Sequence, residues 1–119
     1  MKKIEELNKK LLSAFPELKD DFEKETFWQE GINTGCTVVY EDVFMPFVIE
    51  AIEAHDGAKI KRIFGFVEDL ASMRDHYTDQ LIMISIFDEL VFYNNEINYA
   101  QWLGPNSLML YKKSQNNKI

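Results

Sequence analysis

Lys and Arg are missing from two long stretches of this 119-residue chain. None offsets the seven acids Glu25, Glu30, Glu41, Asp42, Glu50, Glu53 and Asp56, and none offsets Asp75, Asp79, Asp88, Glu89 and Glu96. The formal net charge is -7 and the pI is near 4.8. That balance argues against nucleic-acid binding, which needs a basic face to meet phosphates. Cysteine occurs once, at Cys36, so an internal disulfide is excluded and a reducing compartment fits. Long apolar runs are also missing. Leu81 to Ile84 resumes at Ile86 and Phe87 but meets Asp88 and Glu89, far short of the roughly 20 residues of a membrane-spanning helix. Met1-Lys2-Lys3-Ile4-Glu5-Glu6 has no apolar stretch after its basic start, unlike a signal peptide. The expected location is the cytoplasm.

What the chain does have is material for a core. Hydrophobic residues make up 46% and aromatics 13%, which excludes wholesale disorder. The length suits a single domain, expected over 1–113, with a flexible tail over 114–119. Periodicity predicts helices. Ile4, Leu7, Leu11 and Leu12 share a face over 2–14, and Pro16 favours a new helix start with Glu17, Asp20 and Asp21 in its first turns. Gly31 to Cys36 reads as a loop. Over 37–54, Tyr40, Val43, Phe44, Phe47, Val48, Ala51 and Ile52 spread over one face at 100° per residue, with Asp42, Pro46, Glu50 and Glu53 opposite. Pro46 removes the backbone bond to Asp42, so this segment is either a kinked helix or two short elements meeting at Met45.

The clearest helix spans about 58–72, with Ile60, Ile63, Phe64, Val67, Leu70 and Ala71 in one stripe. A wider apolar arc over 79–93 predicts a central helix packed on two or more sides. A last helix, capped by Asn94 or Asn95, runs through Ile97, Tyr99, Ala100, Trp102 and Leu103 to a stop at Gly104-Pro105. Leu108 to Tyr111 are expected to fold back onto the core. No Asn-Gly or Asp-Gly hairpin lies between alternating runs. The fold class is therefore all-α, a compact bundle of about five to six helices. Ile63 to Leu70 and Met83 to Leu90 match in character at a shift of 20 residues, the spacing of a solenoid-like antiparallel pair or of any two amphipathic helices.

Catalytic signatures are absent. Glu68-Asp69 and Asp88-Glu89 lack the Glu-x-x-His spacing of helical di-metal sites. Cys36 has no basic neighbour in sequence; it reads as a small loop residue, or as a thiol at a helix N-terminus. Neither a Gly-x-Ser-x-Gly elbow nor a phosphate-binding glycine loop is present. No enzyme, metal or cofactor is expected. The unneutralised carboxylates serve either solubility or attraction of a cationic partner.

Phe44-x-x-Phe47, Ile63-Phe-Gly-Phe-Val-Glu-Asp-Leu70 and Ile84-Ser-Ile-Phe-Asp-Glu-Leu90 carry a resemblance over about 37–93. The pattern resembles small helical bacterial proteins similar to the immunity proteins of contact-dependent growth inhibition and related polymorphic toxin systems. The resemblance implies a small cytoplasmic protein without catalysis. Such a protein binds and neutralises a toxin domain, often a basic nuclease, by covering its active site or substrate groove. On charge, the expected toxin-binding residues are Glu41, Asp42, Glu50 and Glu53, with Asp20 and Asp21 behind them and Trp28 or Trp102 as aromatic anchors. The expected partner is a cognate basic toxin domain, with no nucleic acid and no membrane, and the free chain is a monomer or weak dimer. The alternative is a structural or adaptor protein that self-associates through the arc of 79–93.

Overall fold

Apolar side chains three and four apart define helices in the computed structural model, which describes residues 3–116. Among these the chain forms six helices and no strand. They are α1 (Lys3–Ala14), α2 (Lys19–Thr26), α3 (36–53), α4 (Gly57–Ala71), α5 (76–93) and α6 (Pro105–Asn116). The all-α expectation holds. The chain divides into two compact units, Met1–Phe47 and Val48–Ile119, where the sequence suggested one domain over 1–113.

In the first unit, α1 buries Leu7 and Leu11, and a 3₁₀ turn at Pro16–Leu18 leads into α2, which buries Phe22. Phe15 meets Phe44 and Phe47 at centroid distances of 5.6 and 5.4 Å. Phe15 and Phe44 are buried, and each such ring contributes about 1.5–3 kcal/mol by leaving water. Two polar side chains complete this core. Tyr40 donates its hydroxyl to the Leu7 carbonyl at 2.7 Å. The Asn8 amide donates to the carbonyls of Ile32 and Thr34 at 3.0 and 2.8 Å, which pins the loop before α3.

The helix α3 resolves the Pro46 question in favour of an unbroken but irregular helix. Its first turn, Cys36–Val39, is α-helical, Tyr40–Phe44 widens into a π-helical turn, and α geometry resumes at Met45–Glu53. The Met45 N–H reaches back to the Tyr40 carbonyl, five residues away. Pro46 accounts for the widening, since its ring crowds the Asp42 carbonyl and offers it no N–H. The uniform 100° step that grouped Asp42 with Glu50 and Glu53 does not hold through this turn.

In the second unit, Asp56 caps α4 by accepting from the Lys59 N–H at 3.1 Å, and Asp75 caps α5 by accepting from Thr78. The α4 stripe of Ile60, Ile63, Phe64, Val67, Leu70 and Ala71 is buried as expected, and α4 packs on both α5 and α6. A second π-helical turn, Ile82–Phe87, interrupts α5. Its wide apolar arc is mostly buried, yet Ile84 is 52% and Phe92 90% exposed.

The end of the chain departs from expectation. Instead of a helix through 97–103 there is a 3₁₀ turn, Tyr99–Trp102. Asn94 accepts from the Glu96 N–H at 2.9 Å and makes a local turn, not a helix cap. Gly104-Pro105, read as a stop, is the start of α6, with proline in the first helical position where its missing N–H costs nothing. The helix carries Leu108 to Tyr111 and continues to Asn116 with Ser114 buried. The rest of the expected tail, 117–119, lies outside the described residues.

Candidate binding surface

Phe22 is buried on α2, and 100° per residue carries Phe27, five positions on, away from that face. The helix ends at Thr26, whose hydroxyl donates to the Phe22 carbonyl at 2.8 Å, and the Gln29 N–H closes a turn onto the Thr26 carbonyl at 3.0 Å. The chain therefore leaves Phe27 and Trp28 outside, 71% and 87% exposed. They touch each other edge to face, centroids 4.8 Å apart at 79°, the arrangement that aromatic quadrupoles favour. Phe27 also borders an open hollow of about 440 Å³ with Asp20, Glu23 and Lys24. Two large rings thus stand beside carboxylates on one short helix and its exit turn.

The magnitudes favour coverage of these rings. A Phe and a Trp together present about 300 Å² of apolar surface when mostly exposed. Removing it from water is worth roughly 7 kcal/mol gross at about 25 cal/mol per Å². Nothing in the first unit collects that stabilisation, and a partner can.

The carboxylates expected from charge fall in both units. Asp20 and Asp21 are exposed on α2, and Asp20 lines the hollow. Glu41 and Asp42 lie in the π-helical turn of the first unit, Asp42 exposed and Glu41 half-buried. Glu50 and Glu53 are exposed on the last turns of α3, within the second unit. Glu53 accepts the Tyr93 hydroxyl at 2.9 Å, and that bond is the main cause of a raised Tyr93 pKa. Of the two tryptophans, Trp28 is free to anchor a partner. Trp102 is half-buried and stacks on Phe64 at 5.3 Å and 30°. Phe27 escaped the sequence reading, although the break in the α2 stripe after Phe22 marks it.

Other candidate chemistry is structural. Cys36 is buried and donates its thiol towards the Ile4 carbonyl at 3.6 Å. Among the described residues no group of three or more His, Cys, Asp and Glu is placed to hold a metal ion. Glu68 is committed elsewhere. Its Oε2 accepts from the Asn106 N–H and side-chain amide at 3.2 and 2.9 Å, and its Oε1 from the Ser107 N–H and hydroxyl, both at 2.8 Å. Burial pushes the Glu68 pKa up, but these four bonds together outweigh it and hold the carboxyl below its ordinary value. No described helix is long and apolar enough to cross a membrane.

Residues 8–118 match the family model described as "Domain of unknown function (DUF7674)". No curated protein matches the chain. No solved structure matches it.

Proposed function

We propose that this chain, which belongs to the DUF7674 family of unknown function, is a binding protein and not an enzyme. In this reading it is a cytoplasmic immunity protein that captures a cognate basic toxin domain and covers its active site or substrate groove. The observation that carries the proposal is the exposed Phe27–Trp28 pair beside Asp20 and Glu23. Central aromatic anchors ringed by charge are the features on which protein interfaces concentrate their energy. A standard interface takes about 800 Å² from each partner, of which the two rings supply a large part. Within the same unit, Asp21, Glu41 and Asp42 add to the negative field, which speeds encounter with a basic partner and disfavours acidic ones.

Growth protection tests the proposal. The basic C-terminal domain of a secreted toxin encoded beside this chain is expressed with wild type, with Trp28→Ala, or with Asp20→Lys and Glu23→Lys together. Wild type restores growth, and both variants lose protection while still accumulating as folded protein. Equal protection by all three removes α2 from the interface, and no protection by wild type removes the immunity reading.

One observation favours a second reading. Ile84 and Phe92 project from α5 with Asp88 four residues from each, so two large apolar groups share an exposed stripe. A self-associating structural or adaptor protein would bury them. Sedimentation separates the two: a dimer that Phe92→Ala dissociates supports self-association, and a monomer supports capture of a partner.

A further inference from the structure

The second unit contains a cavity of about 490 Å³ between α4 and the turn at Tyr99–Trp102, within the range of small-molecule sites. Its apolar wall is Ile60, Phe64 and Trp102, and its polar groups include Lys61 and Glu68. Two glycines on its lining have different causes. A Cβ on Gly104 would stand 2.6 Å from Glu68 Cδ, so the carboxylate demands that glycine. A Cβ on Gly65 would meet nothing within 4 Å. Gly65 lies in the interior of α4, where glycine is destabilising relative to alanine. Packing inside the protein therefore gives no reason for it. Close approach of a bound molecule does.

The charges then select the ligand. Glu68 has both oxygens occupied by the four donors of Asn106 and Ser107. Lys61 is exposed and forms no ion pair among the described residues. Glu68 keeps its negative charge, so the lining is neutral overall, but its oxygens are taken, and the Lys61 ammonium is the charged group still open to a ligand. Phe64 is buried and stacks on Trp102 within 30° of parallel, which fixes the half-buried indole that lines the cavity. We propose that this cavity binds a small planar aromatic carboxylate, its ring lying along Trp102 over Gly65 and its carboxylate paired with Lys61. The site draws every residue from the second unit and none from the α2 surface, so the two binding activities are separable.

2-Naphthoate is a suitable probe, titrated into the full chain and followed through the Gly65 amide and the Trp102 indole N–H in ¹⁵N–¹H spectra. Saturable shifts of both signals are expected, with 2-naphthamide binding about tenfold more weakly. Lys61→Gln abolishes the preference for the acid over the amide. Gly65→Leu abolishes binding of both while leaving the melting temperature at or above that of wild type, and Trp28→Ala leaves binding unchanged. The proposal is overturned by absence of saturable shifts, by shifts confined to Phe27 and Trp28, or by wild-type affinity in folded Gly65→Leu. Equal affinity for acid and amide in wild type overturns the role of Lys61.

Discussion

Replacing Glu68 with alanine removes four hydrogen bonds from the start of α6 at once. The helix begins at Pro105, so the N–H groups of Asn106 and Ser107 have no partner within the helix, and a carboxylate from α4 fills that role. Ser107 is fully buried, and it keeps its link to Gly104 when Glu68 is gone. Its N–H does not keep a partner. Bonds to a charged acceptor contribute about 1.5–3 kcal/mol when buried. The two to Asn106 are more open to solvent and weigh less. A loss of about 2–3 kcal/mol is expected, which at about 4 °C per kcal/mol lowers the melting temperature by about 8–12 °C. Glu68→Gln keeps the shape but not the charge and loses about half as much. The pH dependence gives a second check. The folded pKa lies below the ordinary 4.5, so the contribution is complete above that value and disappears as pH falls through the lower, folded one. Thermal and urea unfolding of both chains at pH 7 and pH 3 measure it: the gap between wild type and Glu68→Ala is wide at pH 7 and narrows in acid. An unchanged melting temperature at pH 7, or a gap independent of pH, would refute the account of this helix start.

Gly104→Ala places a methyl 2.6 Å from Glu68 Cδ and displaces the carboxylate, so it should cost about the same 2–3 kcal/mol. The double variant with Glu68→Ala should be scarcely worse than either alone, and additive losses in urea titrations would separate the two residues. Tyr99 donates its hydroxyl to the carbonyls of Leu90 and Asn94 at 2.8 and 2.9 Å; Tyr99→Phe should cost about 1–2 kcal/mol by thermal unfolding. Burial, with Tyr111 and Tyr93 adding, pushes the Tyr99 pKa up to about 12, and burial with Cys36 nearby raises Tyr40 well above its ordinary value. Stability that is complete below pH 10 should fall as pH rises towards 12, read as coincident tyrosinate absorbance and loss of helix; early, separate ionisation of all five tyrosines would contradict it. Pro46→Ala returns an N–H to the Asp42 carbonyl and should stabilise the chain by about 1 kcal/mol while slowing amide exchange in the Tyr40–Phe44 turn; destabilisation would show that packing, not proline, sets that turn.

Helices with strong periodicity were legible because their stripes are the core. The stripe of α4 is buried residue for residue. Asp56 and Asp75, each just before an apolar stripe, cap the helices that follow. The misread elements share a cause, which is dependence on distant partners. Pro105 reads as a helix stop or a helix start by local rules, and Glu68, more than thirty residues earlier, holds the N–H groups that decide for a start. Ile84 and Phe92 each fall about 40° from Asp88 at 100° per residue, so their exposure follows from the helical step itself. At the candidate surface, acidity was plain from the charge pattern. The side on which Phe27 and Trp28 emerge depended on where α2 ends, a matter of one or two residues.

Affinity of the cognate basic domain for wild type, Trp28→Ala and Asp20→Lys with Glu23→Lys, at low and at physiological salt, bears most directly on the binding role. Trp28→Ala should weaken binding about thirtyfold or more at both salts, the loss of about 2 kcal/mol or more typical of a central anchor. The charge reversal should slow association chiefly at low salt, where the field is unscreened. Wild-type affinity in both variants, at either salt, would contradict capture through α2.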